Sequence, residues 1–329
     1  MDLKAIEQAV FSIKTENDFI AMALEIFNFQ YHQVEIYHRY CHLLGINTQK
    51  ITTLHDIPFM PIDFFRSHRV SPFKEPAELI FSSSGTTGNS TSYHEIPYPH
   101  LYEKSFISGF ERFYGDIKDY CILALLPSYL ERSGSSLVYM ANKLITDSGH
   151  PHSGFYLHNL DSLADTLKTL KEKGQKTLLL GVTYALLDLA SAHPIHFPEL
   201  IIMETGGMKG KRREMVREEV HQILCKAFHC NAIHSEYGMT ELLSQAYSNG
   251  NGIYRCPPWM QVMTRDTDDP LSTAPNNTTG GINVIDLANI YSCAFIATQD
   301  LGKCYDDGSF EVLGRFDNSL IRGCNLMVV

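Results

Sequence analysis

The sequence predicts an α/β fold: a largely buried sheet flanked by helices, then a small antiparallel β subdomain. Short apolar runs alternate with helical patterns through the middle of the chain, the order that builds βαβ units. From residue 264 onward the composition turns to Asp, Pro, Asn, Thr and Gly, followed by short strand-like runs separated by Gly and Asp. Hydrophobic residues make up 44% and charged residues 19% of 329, a balance that supplies a sizeable core without a membrane-like excess.

Taken in order, residues 1–45 predict helices. Apolar residues recur at three- and four-residue spacing across 19–27 and again across 31–44, and Gly45 is a natural stop. The stretch 57–65 carries two prolines and predicts a wrapping segment rather than one helix. Residues 120–126 predict a buried strand ending at Pro127, 137–145 a helix, 160–173 a helix and 177–182 a strand. Residues 200–207 predict a strand entering a tight glycine turn, and 211–227 a charged helix. In the C-terminal third, 264–281 reads as loop, while 282–286, 292–298, 309–313 and 326–329 read as strands. The organisation expected is a helical N-terminal segment over 1–75 packed on the core, an α/β core over 76–263, and a β-rich subdomain over 264–329.

A net charge of −10 argues against a broad nucleic-acid surface. The N-terminal residues lack a signal peptide's apolar core, and no apolar run approaches membrane-spanning length. Eight scattered cysteines without a dense framework suggest reduced thiols, so a cytoplasmic location is expected.

The most telling segment is Ser82-Ser-Ser-Gly-Thr-Thr-Gly88, in which every residue bears a hydroxyl or is glycine, preceded by Leu79-Ile-Phe. Such a loop has little to pack, but its N–H groups and hydroxyls can surround a phosphate. It lacks the Gly-Lys-Ser/Thr of a Walker A loop. A flexible surface linker is the plain alternative. Four further motifs follow: Glu204-Thr-Gly-Gly-Met, Tyr237-Gly-Met-Thr-Glu241, Thr298-Gln-Asp-Leu-Gly302 at the expected end of a strand, and Gly314-Arg-Phe-Asp-Asn-Ser-Leu-Ile-Arg-Gly-Cys-Asn-Leu326.

Each motif is weak alone. Together, in this order, they resemble the adenylate-forming superfamily of acyl- and aryl-CoA synthetases, firefly luciferase and peptide-synthetase adenylation domains. Leu126-Pro-Ser-Tyr-Leu-Glu-Arg-Ser-Gly-Ser-Ser-Leu-Val-Tyr-Met140 and Ile321-Arg-Gly-Cys-Asn-Leu-Met327 narrow this. They resemble the acyl-protein synthetase family, known from the fatty acid–protein ligase of bacterial bioluminescence. The resemblance spans roughly residues 50–329.

The resemblance implies ATP and Mg²⁺ as cofactors and a carboxylic acid as substrate, a fatty acid in the narrower family. It implies that Ser83, Ser84, Gly85, Thr86, Thr87 and Gly88 meet ATP phosphates. Gly206, Gly207, Tyr237 and Gly238 meet adenine, Thr240 a phosphate, Glu241 the Mg²⁺, and Asp300 and Arg315 the ribose. The chemistry suits: joining a carboxylate to a triphosphate brings two anions together, so charge must be neutralised, and a carboxylate offers Mg²⁺ a hard oxygen. The plain alternatives are a core aromatic for Tyr237, a helix or turn cap for Glu241 and Asp300, and a surface ion pair for Arg315.

In the narrow family a cysteine near the C-terminus accepts the acyl group as a thioester, which implies that role for Cys324, with Arg322 nearby to lower its pKa. A strand cysteine is the alternative. His94 matches a histidine of the narrow family and implies a contact to substrate carboxylate or phosphate; a solvent-facing loop histidine is the alternative. Glu131 and Arg132 either shape an acyl pocket or cap a turn. An acyl-CoA reductase-like protein or an acyl carrier is the partner implied.

The chain departs from the superfamily in three places. Asn89-Ser-Thr91 stands where Pro-Lys is usual, Thr298-Gln-Asp300 replaces Thr-Gly-Asp, and the small lysine-bearing C-terminal domain is expected to be absent. Arg322, Lys209 or Lys211, or a partner protein, can supply charge instead. Two other readings remain open: a CoA ligase of phenylacetate type, and a non-catalytic nucleotide- or acyl-binding subunit. His221, Cys225, His229, Cys230 and His234 fit no common zinc spacing, and His32, His38 and His42 read as a solvated helix face. No Gly-x-Ser-x-Gly elbow is present.

Overall fold

The computed structural model describes residues 3–83, 91–127, 134–157, 159–206 and 215–316. Helices α1 (Leu3–Val10), α2 (Glu16–Gln33) and α3 (Glu35–Leu43) occupy the stretch whose spacing predicted helix. A capping box starts α2: the Asp18 N–H donates to Thr15 Oγ1 at 3.1 Å and the Thr15 N–H to Asp18 Oδ2 at 2.9 Å. Past α3, Gly45 takes φ +68°, a left-handed stop. The proline-interrupted stretch forms only β1 (Met60–Pro61) and α4 (Phe64–Ser67).

There follow β2 (Leu79–Ser82), β3 (Tyr93–Ile96), α5 (Pro99–Tyr114), β4 (Cys121–Leu125), α6 (Ser136–Ser148), β5 (Gly154–Phe155) and α7 (Leu160–Glu172). Next come β6 (Thr177–Gly181), α8 (Thr183–Ala192), β7 (Ile201–Glu204), α9 (Arg217–Phe228), β8 (His234–Tyr237), β9 (Ala246–Ser248) and β10 (Ile253–Tyr254). The described chain closes with β11 (Met260–Arg265), β12 (Thr279–Asp286), β13 (Phe295–Cys304) and β14 (Phe310–Arg315).

Two compact units emerge. One takes residues 75–257, the other joins 1–74 with 258–329. In the contiguous unit, β5-β4-β6-β7-β8-β9 form one sheet, parallel except for the antiparallel β8–β9 edge. Every residue of β4 (CILAL) and β6 (TLLLG) is buried, which is why these strands read as continuous apolar runs instead of alternating. Gly181 ends β6 where a Cβ would lie 2.7 Å from the Leu186 side chain, so glycine lets α8 fold straight back over its own strand. The carboxyl ends of β4, β6, β7 and β8 lie side by side, the rim at which open parallel sheets bind ligands.

In the other unit β13 is the spine. It pairs antiparallel with β12 along one side, and on the other with β1 (parallel, Met60↔Ile296) and then β14 (Asp300↔Arg315). β11 extends the sheet beyond β12. The N-terminal helices pack here: Phe27 meets Tyr37 and Phe295 edge-on at 6.1 and 6.2 Å between ring centres. Gln30 is fully buried, donating to the carbonyls of Asn289 (2.8 Å) and Ile290 (2.9 Å) and accepting from the Ala294 N–H (2.9 Å). Replacing Gln30 by Leu strands three backbone groups away from water, so Gln30→Leu is expected to cost about 2–4 kcal/mol in urea unfolding. A loss below about 0.5 kcal/mol would show that the amide does not clamp this loop.

Several expectations need correction. Of the helix expected over 211–227, residues 211–214 lie outside the described residues; α9 starts at Arg217, and Val216 before it is extended, with φ −70° and ψ 151°. The Val216 side chain is exposed. The motif Thr298-Gln-Asp-Leu-Gly302 does not end its strand, because β13 runs on to Cys304 with alternate residues buried. That strand begins at Phe295 instead of 292. The stretch 264–281 is not all loop: Thr264 and Arg265 complete β11, and 279–281 open β12, because Arg265 pairs across with Gly281. Helices α5 and α8 and strands β3 and β8–β11 are not among the elements that spacing predicted. The strand expected at 326–329 lies outside the described residues.

Candidate active site

The contiguous unit brings three of the five motifs together. The β2–β3 hairpin opposes Phe81 to His94 and Ser82 to Tyr93. One step further, the Ser83 N–H donates to the Ser92 carbonyl (3.0 Å) and the Ser92 N–H to Ser83 Oγ (2.9 Å), closing the base of the hydroxyl/glycine loop. The Ser82 N–H donates to the Gly134 carbonyl at 2.8 Å. Gly134 has φ +87°, and a Cβ there would lie 2.8 Å from Ser82 Oγ. Ser84, Gly85, Thr86, Thr87 and Gly88 lie outside the described residues, as do Glu131 and Arg132.

His94 is 1% exposed on β3, so it is not a solvent-facing loop histidine. Its Nδ1–H donates to the Thr240 carbonyl at 2.9 Å, tying the hairpin that carries the loop to the Tyr-Gly-Met-Thr-Glu motif. Tyr237 ends β8, buried, with its ring centre 6.0 Å from that of Tyr254. A Cβ at Gly238 would displace the Glu236 carboxylate, whose Oε1 lies against it. Glu241 is also buried.

On the neighbouring strand, Glu204 stands opposite Ser235 in the parallel register. The Glu204 carboxylate folds back to accept from the Gly206 N–H at 2.9 Å and from the Thr183 hydroxyl. The Thr205 N–H donates to the Gly181 carbonyl at 3.1 Å. Gly206 has φ +76°, which a glycine adopts without strain. The glycine turn is therefore braced by two strand ends at the sheet's carboxyl rim. Gly207, Lys209 and Lys211 lie outside the described residues.

The other unit holds the remaining two motifs together. Asp300 and Arg315 are register partners, and Arg315 Nε donates to Asp300 Oδ1 at 3.2 Å. Asp300 is buried, whereas the Arg315 side chain is 78% exposed. Cys324 and Arg322 lie outside the described residues.

Three features carry no motif signal. Glu236, beside Tyr237, faces Tyr247 across the β8–β9 register, and burial pushes its carboxyl up to about 7. On α9, burial lowers the pKa of His221, whose buried Nε2 has no hydrogen-bond partner among the described residues. Arg265 is buried in a stretch whose composition reads as loop. Of the other histidines and cysteines on or after α9, His234 Nδ1 pairs with the Tyr114 hydroxyl at 3.2 Å, and the Sγ atoms of Cys225 and Cys230 lie 4.0 Å apart.

Mg²⁺ takes few protein ligands and keeps phosphate and water oxygens. A single buried carboxylate at Glu241, next to Thr240 and tied through His94 to the loop hairpin, fits that habit.

No protein-family model matches the sequence, and no curated protein matches it. Solved structures do resemble the fold. ATP-bound MatB from Rhodopseudomonas palustris aligns with a TM-score of 0.54 and 18% identity, over 74% of this chain and 49% of that one. A 2-hydroxyisobutyryl-CoA ligase in complex with 2-HIB-AMP and CoA, in its thioesterification state, aligns with a TM-score of 0.67 and 14% identity. That match covers 96% of this chain and 68% of the ligase. The same ligase in an open conformation gives 0.68 and 12%, over 93% and 77%. The chain thus spans about half the length of MatB. The fold is that of adenylate-forming enzymes, with mixed sheets flanked by helices and antiparallel strands towards the C-terminus. Among the described residues no helix is long and apolar enough to cross a membrane.

Proposed function

We propose that this chain activates a carboxylic acid with ATP and hands the acyl group to a thiol. The observation that supports the reading is the His94–Thr240 hydrogen bond of 2.9 Å, which holds the strand after the hydroxyl/glycine loop to the Tyr-Gly-Met-Thr-Glu motif.

In the first step a carboxylate oxygen of the acid bonds to the α-phosphorus, the bond to the bridging oxygen breaks, and pyrophosphate leaves. The hydroxyls of Ser83, Ser84, Thr86 and Thr87 donate to phosphate oxygens, and Thr240 adds another donor. The braced turn at Gly206, followed by Gly207, and Gly238 let the backbone lie against adenine, and Tyr237 offers its ring. Asp300 accepts from the ribose hydroxyls, with Arg315 beside it. Glu241 holds Mg²⁺, which when bound supplies positive charge to the phosphates. His94 orients Thr240 through its carbonyl and is a positioning residue. In the second step a thiolate attacks the acyl carbon and AMP leaves. Holding both reactants in one enclosure accounts for much of the rate and keeps water from the mixed anhydride.

The acid we assign is a fatty acid and the first acceptor Cys324, followed by transfer to an acyl-CoA reductase-like or carrier partner, all in the cytoplasm. The support is the sequence resemblance of 126–140 and 321–327. CoA as acceptor is the second reading, favoured by the likeness of the fold to a CoA ligase crystallised with CoA.

Pyrophosphate release across a panel of carboxylic acids, with and without CoA, tests the first step. Long-chain acids are expected to be turned over without CoA, leaving an acyl group on the protein detectable by mass spectrometry. Cys324→Ser is expected to abolish that adduct while pyrophosphate is still released. An adduct that persists in Cys324→Ser removes Cys324 as acceptor. Strictly CoA-dependent AMP formation selects the second reading, and no acid-dependent pyrophosphate release removes both.

A further inference from the structure

Arg265 is the last residue of β11 and stands opposite Gly281 of β12. It is 9% exposed, although the loop beyond it is open to solvent. Its guanidinium reaches across β12 to β13. Nη1 donates to the Ile282 carbonyl at 2.7 Å and to Asn283 Oδ1 at 2.9 Å, and Nη2 donates to the Thr298 carbonyl at 2.6 Å. The Phe316 ring lies 5.4 Å from the guanidinium carbon. This crossing needs glycine opposite, since a Cβ on Gly281 would come within 2.6 Å of Arg265 Cζ.

The contacts converge on the peptides that carry Asp300. The Thr298 hydroxyl donates to the same Ile282 carbonyl at 2.9 Å and accepts from the Asp300 N–H at 3.1 Å. Gln299 Nε2 donates to Asp63 Oδ2 at 2.6 Å, and the Gln299 carbonyl accepts from the Phe316 N–H at 2.8 Å. Phe316 follows directly on Arg315, which reaches Asp300 Oδ1. Arg265 thus grips residue 298 from behind while its face abuts the residue after Arg315. A buried guanidinium is an expensive way to hold a sheet; an apolar side chain of similar volume usually does so at less cost. What the planar fork adds is direction, because it fixes three acceptors at once, which a lysine's single ammonium cannot do.

We infer that Arg265 is a positioning residue for the nucleotide's ribose: through the Thr298 carbonyl it sets the direction of the Asp300 carboxylate. This deepens the reading given under Proposed function and rests on its assignment of Asp300 to the ribose hydroxyls.

The test compares ATP with 3′-deoxy-ATP in equilibrium binding to the full chain, with inorganic triphosphate as a probe of the phosphate site alone. The wild type is expected to prefer ATP by about tenfold or more, the yield of one well-made hydrogen bond. Arg265→Gln is expected to bring that preference below about twofold and Arg265→Lys to an intermediate value, with triphosphate affinity unchanged in both. Gln30→Leu, a destabilised variant of the same unit at a distant clamp, is expected to keep the wild-type preference. If Arg265→Gln and Arg265→Lys discriminate as well as the wild type, or Gln30→Leu loses the preference to the same extent, the positioning role is overturned. Should Arg265→Gln not fold, Arg265→Lys carries the comparison. A wild type that binds ATP and 3′-deoxy-ATP equally instead removes Asp300 from the ribose, and the underlying assignment falls first.

Discussion

Glu241→Gln is expected to lower acid-dependent pyrophosphate release by on the order of 10²–10³-fold, the scale on which single charge-stabilising groups act in a closed site. The substitution keeps shape and volume and removes one negative charge. Glu241 is buried, and its neighbour Thr240 is tied by its carbonyl to His94 on the hairpin that bears the loop; the proposed function gives its carboxylate to Mg²⁺. A steep rise in the Mg²⁺ concentration needed for half-maximal rate should accompany the loss. Thr240→Ala, which removes a neutral donor, is expected to lose less. If Glu241→Gln turns over at the wild-type rate with unchanged Mg²⁺ dependence, Glu241 is a structural cap and the metal assignment is wrong.

The second large effect is on stability. Burial raises the Glu236 carboxyl from 4.5 to about 7. The folded state therefore holds a proton that the unfolded chain releases between those values, so stability falls as pH rises through that window. The contribution is fully present below about 4.5 and lost above about 7, opposite to a salt-bridged carboxylate. At about 1.4 kcal/mol per unit the full swing is roughly 3 kcal/mol, an upper figure because part of the side chain remains accessible. Glu236→Gln is therefore expected to match the wild type near pH 4.5 and to exceed it by up to about 3 kcal/mol at pH 8. His221 and His234, whose pKa values burial lowers, shift stability the other way over part of this range, but they are common to both proteins and cancel in the difference. Urea midpoints at four or five pH values settle the matter; a difference that does not change with pH would mean the carboxyl is ionised in the native protein.

Some of this was legible in the sequence for plain physical reasons. β4 and β6 are buried on both faces, so uninterrupted apolar runs mark them. The N-terminal helices keep a wet side, so three- and four-residue spacing marks those. Helix α8 has Thr183 through Leu187, Leu189 and Ala190 all buried, which erases the period that would separate it from the strand two residues before it. Helix α5 did carry a signal, with Pro99 at its first turn and buried positions at 101, 102, 105, 106, 109 and 110. The candidate site splits the same way. Motif order singled out Tyr237, Glu241, Asp300 and Arg315 because short glycine-bearing motifs have recognisable spelling, although Asp300 and Arg315 lie within paired strands instead of in turns. Arg265 had no such spelling: an arginine followed by Asp, Thr and Asp reads as solvent-facing until the register sets Gly281 opposite and opens a channel for the guanidinium. Glu236 was hidden by its motif, since nothing local says that the residue before Tyr237 faces a buried tyrosine rather than water.

The unit joining 1–74 to 258–329 has a consequence for biosynthesis. As the chain leaves the ribosome, Phe27 and Tyr37 emerge long before Phe295, the ring both pack against. At about 5–20 residues per second the delay is on the order of ten seconds or more. Throughout it, helices α2 and α3 display aromatic side chains with no native surface to cover them, while the intervening segment is still being synthesised. Nascent-chain shielding, by a chaperone or by provisional collapse, is a requirement written into the order of the elements.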